Sequence, residues 1–292
     1  MKDIVLETPV RKHSQAKEIW RCFKKNKAAM LGLAIFTLIL LVAIFADVIV
    51  PYEKAIETNR SDLTVAPCAE YPFGTDNLGR DYFARIVHGS RASISVALIV
   101  SVASLLISAV LGGIAGYYGG RIDNIIMRVL DVFMCIPQIL MALAVVAALG
   151  SNLVNLCIAL TISTVPGNVR LIRSTILTVS ESDYIEAARS YGTSDARIIV
   201  KYIIPNAIGP IIVNTTIGMA NMILSAASLS FLGMGVQPPT PEWGSMLSTA
   251  KDFMRTCPWL IYIPGVCIVL TALSVNLMGD GLRDALDPKV RN

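Results

Sequence analysis

Apolar residues in this chain come in long unbroken runs rather than at the period of an amphipathic helix or strand. Charge-free stretches cover Ala28 to Ala46, Ala92 to Gly120, Val132 to Val169, Tyr202 to Pro241 and Thr256 to Gly279. A helix needs about 20 apolar residues to cross the roughly 30 Å of a bilayer core, where loose backbone N–H and C=O groups find no water. The first, second and fifth runs each predict one spanning helix. The third is long enough for two, divided at Gly150-Ser151-Asn152, three residues that favour a turn. The fourth predicts a helix from about Asn206 to Leu232 followed by a Gly/Pro-rich exit. The expectation is an all-α integral membrane protein with six transmembrane helices.

Composition agrees and charge adds an orientation. The 292 residues are 54% hydrophobic and 16% charged, with a mean hydropathy of +0.62, above the roughly 45–50% apolar content of soluble domains. Residues 1–27 hold eight Lys/Arg against the three acids Asp3, Glu7 and Glu18, which places this tail in the cytoplasm by the positive-inside rule and lets it attract anionic lipid. The apolar run that follows exceeds a signal-peptide h-region and has no A-x-A site, so it reads as a retained first helix. Alternation then puts 51–91 outside, 121–128 inside, the 150 turn outside, 170–201 inside, 233–255 outside and both termini in the cytoplasm. Arg121, Arg128, Arg170, Arg173, Arg189, Arg197, Lys201, Arg283, Lys289 and Arg291 all fall inside, while the 51–90 loop has six acids against four bases. The expected organisation is a tail (1–27), a first helix (28–50), an extracytoplasmic loop (51–91), a five-helix domain (92–280) with an inner loop at 174–205, and a tail (281–292).

Catalytic chemistry finds little support. The chain has no H-E-x-x-H, no G-x-S-x-G, only His13 and His88, and no Lys after a Gly, so a Walker loop for ATP is absent. Gly279-Asp280-Gly281 lacks the G-x-G-D of intramembrane aspartyl proteases, because Leu277-Met278 precede it. The six Cys show no metal spacing, and most are expected to be small buried residues, with a Cys68–Cys257 disulfide on the outer face left open. Arg128 and Asp131, three apart near a helix end, fit an i,i+3 pair better than a proton path. Gly112, Gly116 and Gly120 form two overlapping G-x-x-x-G steps, which suit close helix packing within the chain or between subunits. Pro137 and Pro166 are expected to kink the third and fourth helices.

One polar stretch stands apart, S-E-S-D-Y-I-E-A-A-R-S-Y-G over residues 180–192. Ser180 and Asp183 fit a capping box, so a helix is expected from Glu181 to Tyr191, ended by Gly192 as its C′ residue. Thr193-Ser194-Asp195 offers a second cap, for a helix from Ala196 to Ile203 that stops before Pro205. Ala187 and Ala188 give the first helix a small flat face that suits a groove on another protein. Tyr184, Ile185 and Tyr191 keep a helix lying on lipid as the alternative.

Glu186-Ala187-Ala188, Gly192 and Pro205 together resemble the EAA motif of ATP-binding cassette (ABC) importer permeases, with Tyr202-Ile203-Ile204-Pro205 departing from the usual I-x-L-P. F-G-T-D-N-L-G-R-D at Phe73–Asp81, A-G-Y-Y-G-G at Ala115–Gly120, the Leu229–Gly244 segment and the Gly279–Pro288 segment are similar to the peptide/nickel branch. The likeness is greatest to the second permease of dipeptide and oligopeptide importers. The resemblance implies a type I ABC importer permease fold in the cytoplasmic (inner) membrane and no enzyme activity. The implied partners are a second permease in a heterodimer, two ATP-binding subunits that hold the ATP and Mg, and an extracytoplasmic substrate-binding protein. No cofactor or metal on this chain and no nucleic-acid partner are implied. Residues 180–192 become a coupling helix in which Glu186, Ala187 and Ala188 touch an ATPase subunit. Gly192 sets the corner and Pro205 the return into the fifth span. Phe73, Gly74, Asp76, Gly233, Gly235, Pro238 and Trp243 then lie near the outer gate or the binding-protein dock. A stand-alone secondary transporter would need buried mid-membrane charges that the runs lack, and an intramembrane enzyme would need a polar catalytic pair. Within the favoured class, nickel or glutathione remains open as cargo beside peptides.

Overall fold

The computed structural model describes residues 15–286, so the outermost charges of the two expected tails, among them Lys2, Arg11, Lys289 and Arg291, lie outside the described residues. The regular structure of the described residues is helical, with no strand apart from one isolated bridge between Thr75 and Asp81. Five helices are long and apolar enough to span a membrane, and a sixth span results if one sharply bent pair is taken together.

The described residues open with α1 (Gln15–Lys25) and α2 (Lys27–Ile44), joined at Asn26, whose side chain accepts the amides of Ala28 and Ala29 at 3.1 Å and caps α2. Two short helices, α3 (Ala46–Ile49) and α4 (Tyr52–Ile56), lead to a long loop. Asp81 then caps α5 (Tyr82–Tyr118), a single helix of 37 residues. It begins ten residues before the apolar run at Ala92, because the polar side chains that precede that run in sequence each find a partner in place. Arg85 donates to Ala55 O (2.9 Å), His88 shares a hydrogen bond with Val50 O (2.8 Å), and Arg91 pairs with Asp47 (2.7 Å). The loop expected over 51–91 is shorter by that much.

Gly119 and Gly120, at φ +60° and +57°, turn the chain into α6 (Gly120–Met134). α6 and α7 (Gln138–Leu149) then meet at 82° across Cys135–Pro137. The first half of the third run therefore yields a broken span, since Pro137 removes an N–H and pushes Ile136 out of the helical region. The expected Gly150 turn follows, at φ +91°, and α8 (Leu153–Ser180) carries Pro166 within it. α9 (Asp183–Ser190), α10 (Asp195–Ile198) and a π-helical turn (Ile199–Ile203) precede α11 (Ile204–Phe231). The helix does not stop before Pro205. The wider π turn absorbs the lost hydrogen bond, and Pro205 sits in the first turn of α11, where its missing N–H costs nothing. A helix not legible in the sequence, α12 (Trp243–Ala250), continues into a 3₁₀ turn before α13 (Trp259–Leu286).

α5, α8, α11 and α13 enclose the main core around Val96, Val100, Leu156, Leu160, Ile223, Leu229 and Val275. Close backbone approach draws them together: a Cβ on Gly112 would lie 2.7 Å from Val169 O, and one on Gly116 would lie 2.8 Å from Arg173 O. Both glycines therefore pack α5 on α8 within the chain. Gly120 takes no part, because a Cβ there would meet nothing within 4 Å. α1 rests on the end of α13 through Phe23, Leu282 and Ala285, and Gly209 at the start of α11 lies against Leu286. Hence α1, the end of α13 and the 183–203 segment share one end of the bundle. Large residues such as Leu38, Leu106, Val110 and Val269 face outward, as the lipid-facing surface of a bundle requires.

Candidate functional site

Three places gather the residues that bear on function, and the first is an open cleft between helices. A cavity of about 440 Å³ lies between α5, α7, α8 and α11. α11 supplies Asn214, Gly218, Asn221 and Ser225, spaced four, three and four apart and so on one helix face. α5 supplies Ser101 and Ser104, α7 supplies Gln138, and α8 supplies Thr164 and Asn168, whose Nδ2 donates to Ser104 Oγ at 2.8 Å. No lining residue carries a formal charge. A smaller cavity of about 130 Å³ shares Gln138 and Ser225 with it and is lined further by Ile139, Ala142, Leu160, Ser163 and Leu229. None of these residues was singled out above. The signal was present, as a polar stripe at helical spacing inside an apolar run.

The second place is the 180–203 segment. α8 continues through Ser180, because Ile176 and Val179 keep packing, and Ser182 occupies the N-cap of α9. The expected capping box is therefore absent: Ser182 Oγ donates back to Thr178 O instead of capping, and Asp183 is the first helical residue. The C-terminal expectation holds. Gly192 has φ +73°, its N–H donates to Arg189 O (2.9 Å), and Thr193 N–H donates to Ala188 O (3.1 Å), the paired bonds of a Schellman corner. Ser194 takes the cap position of α10. Fully buried Ile185 and Ile198 anchor the segment on Ile172, Ile176 and Ile203. Ala188 turns toward this cluster while Glu186 and Ala187 face out. The two alanines do not share one outer face. The exposed stripe is Tyr184, Ala187 and Tyr191, with Tyr191 89% exposed. Tyr117 at the end of α5 donates to Asp195 Oδ1 (2.6 Å), and Arg189 lies 5.2 Å over the Tyr117 ring. Nearby, Asp131 pairs with Arg170 (2.5 Å) rather than Arg128, and Arg173 takes Asp123 in a two-pronged ion pair.

The third place is the opposite end. Asp76 is buried, accepts the amides of Leu78 (2.9 Å) and Arg80 (3.0 Å), and pairs with Arg80 Nε (2.7 Å) and Arg85 Nε (3.4 Å). Glu242 caps α12 by accepting from Gly244 N–H (2.9 Å) and Ser245 N–H (2.8 Å), and it takes the Ser93 hydroxyl at 3.1 Å. Burial pushes the Glu242 carboxyl above its ordinary pKa, against the pull of those amides. Trp243 is buried and donates from Nε1 to Ile86 O (3.0 Å). Phe73 stacks edge-on against Phe83, and a side chain on Gly74 (φ +74°) or Gly235 would collide with Val65 or Ser230. Of the seven residues expected at the gate or dock, only Gly233 and Pro238 are exposed. Cys68 and Cys257 are free thiols, one exposed and one buried.

The family pattern of the binding-protein-dependent transport system inner membrane component matches residues 108–292, and that of the N-terminal TM domain of oligopeptide transport permease C matches residues 14–67. The dipeptide transport system permease protein DppC of Alkalihalophilus pseudofirmus is 46% identical over 94% of this chain and 90% of its own length. The glutathione transport system permease protein GsiD of Escherichia coli O157:H7 is 43% identical over the same shares. Among solved structures, an inward-facing MetNI methionine ABC transporter aligns with a TM-score of 0.60 at 17% identity, covering 70% of this chain and 98% of that one. Since one pattern spans most of the chain and the relatives align over nearly all of it, the chain belongs to the binding-protein-dependent ABC importer permeases, with the type I fold.

Proposed function

We propose that this permease forms one half of a path for small peptides, handed over by an extracytoplasmic binding protein and driven by two ATP-binding subunits. The observation that carries the cargo is the uncharged polar cavity. Its volume of about 440 Å³ falls within the roughly 300–1,000 Å³ of small-ligand sites. Amides and hydroxyls exchange hydrogen bonds with a peptide backbone, and no full charge holds either terminus too firmly for release.

The end bearing α1 and the close of α13 is cytoplasmic in this reading. There Glu186 and Ala187, with Tyr184 and Tyr191 beside them, seat in an ATPase cleft, Ala188 and Ile185 hold α9 to the bundle, and Gly192 fixes the corner. At the other end Gly233 and Pro238 meet the binding protein, and Phe73, Gly74, Asp76, Gly235 and Trp243 hold that surface from beneath. The 43% identity to a glutathione permease keeps glutathione, itself a tripeptide, as the second reading.

The test is uptake into vesicles that contain this chain, its permease partner and both ATPases, with the binding protein supplied outside. ATP-dependent accumulation of a labelled dipeptide is expected. Accumulation of glutathione alone would move the cargo to the second reading, and uptake without the ATPases would overturn the assignment.

A further inference from the structure

The A-G-Y-Y-G-G segment at Ala115–Gly120 closes α5. Gly116 packs α5 on α8, and Gly119 and Gly120 turn the chain into α6. Its two tyrosines divide sharply. Tyr118 is exposed and meets Tyr117 edge-on, and its hydroxyl bonds nothing among the described residues. The Tyr117 ring packs against the isoleucine cluster that anchors residues 183–203, its hydroxyl donates to Asp195 Oδ1 at 2.6 Å, and the Arg189 guanidinium lies 5.2 Å from its ring centre. Arg189 belongs to α9 and Asp195 opens α10, so one side chain of α5 touches both sides of the Gly192 corner. No other hydrogen bond or ion pair runs from residues 183–198 to α5, α6 or α8 among the described residues. Beside this contact opens a cleft of about 190 Å³, lined by Ile114 and Tyr118 of α5 and by Ile199 and Ile203 of the π turn among others.

We infer that Tyr117 is a positioning residue, which holds the α9–α10 segment at a fixed angle to α5 so that movement of the segment by the ATP-binding subunits is passed to that span. This rests on the coupling reading of Glu186, Ala187 and Gly192 given above and names the side chain that joins their segment to a helix lining the cavity through Ser101 and Ser104. Packing of Ile185 and Ile198 holds the segment on the bundle but has no direction, so by itself it leaves a short helix free to roll. A hydrogen bond to a carboxylate has a set length and angle. The guanidinium over the ring adds a second point on the far side of the corner. Two points across a corner stop the roll.

The test uses vesicles that hold the complete transporter, with the binding protein outside, and measures phosphate release together with uptake of labelled dialanine, or of glutathione if that is the cargo. A hydrogen bond to a charged group favours the arrangement it holds by roughly tenfold. Tyr117→Phe keeps the ring and removes the hydroxyl, so it should lower the molecules carried per phosphate released by about three- to tenfold while hydrolysis continues. Asp195→Ala breaks the same bond from the other side and should do likewise, and the double variant should be no worse than either single one. Tyr118→Phe is the control and should keep the wild-type ratio. A wild-type ratio in Tyr117→Phe and Asp195→Ala, a fall of uptake and hydrolysis in equal proportion, a double variant worse by the product of the singles, or an equal drop in Tyr118→Phe would each overturn the role. Glu186→Lys in the same vesicles separates the two ideas. A lowered ratio there beside a wild-type ratio in Tyr117→Phe removes Tyr117 alone, and wild-type ratios in both remove the coupling reading as well.

Discussion

Asp76, Arg80, Arg85, Glu242 and Trp243 at one end of the bundle are each at most 5% exposed, whereas Glu186, Ala187 and Tyr191 at the other end face outward. Buried charges cost several kcal/mol each unless every one has partners, so the first end holds its loops in a single arrangement. The second end keeps its shape with two isoleucines and a glycine corner and leaves its polar face free. One end is specified by what it encloses. The other is specified by what it presents.

Substitutions at four positions sharpen or break that contrast. Asp76→Ala strands two buried guanidiniums and should cost about 3–5 kcal/mol, read as a lower melting temperature of the assembled transporter. Asp76→Asn keeps the backbone bonds and should lose less. A wild-type melt for Asp76→Ala would show that this end is not locked by its charges. Glu242→Ala removes the cap of α12 at about 1–2 kcal/mol, and Glu242→Gln should recover most of it. The Glu242 carboxyl is raised in the folded chain, so its contribution is complete below the unfolded value of about 4.3 and fades as pH rises through the folded one. Melting followed upward from pH 4 should therefore fall more steeply for wild type than for Glu242→Gln.

At the exposed end the stability effects shrink while the functional ones grow. Gly192→Val meets no steric obstacle, since a Cβ there has nothing within 4 Å, and the cost is the left-handed backbone alone, about 1–2 kcal/mol. Glu186→Lys should change stability by no more than about 0.5 kcal/mol. Both should insert normally and lower the peptide carried per ATP hydrolysed, measured as the ratio of uptake to phosphate release. An unchanged ratio in both would remove the coupling role from this segment.

The apolar runs placed α2, α8, α11 and α13, and Gly192 marked the corner after α9, because span length and a positive φ are local demands that residues declare individually. The remainder depended on partners distant in sequence. The first turns of α5 look like loop until Asp76, Ala55, Val50 and Asp47 supply partners for Arg85, His88 and Arg91. Pro137 announced a break but not an 82° one, and Pro205 announced a stop that the π turn at Ile199–Ile203 removed. Ser180 offered a plausible cap, yet continued packing of α8 moved that position to Ser182. The cavity was the largest omission. Asn214, Asn221 and Ser225 were legible as a stripe, but Ser101, Gln138 and Asn168 join them only when four helices converge.

α5 connects the two contrasted ends directly. Its 37 residues span about 55 Å without interruption, from the Tyr82 hydroxyl on Leu260 O to the Tyr117 hydroxyl on Asp195. A hydrogen-bonded helix is stiff along its axis, so Asp195 and Leu260 are joined to the two ends of one rod. The neighbouring α6–α7 pair has no such stiffness, because at Cys135–Pro137 the ladder of bonds is cut. A rod and an elbow thus stand side by side, and the elbow is where Gln138 borders the cavity.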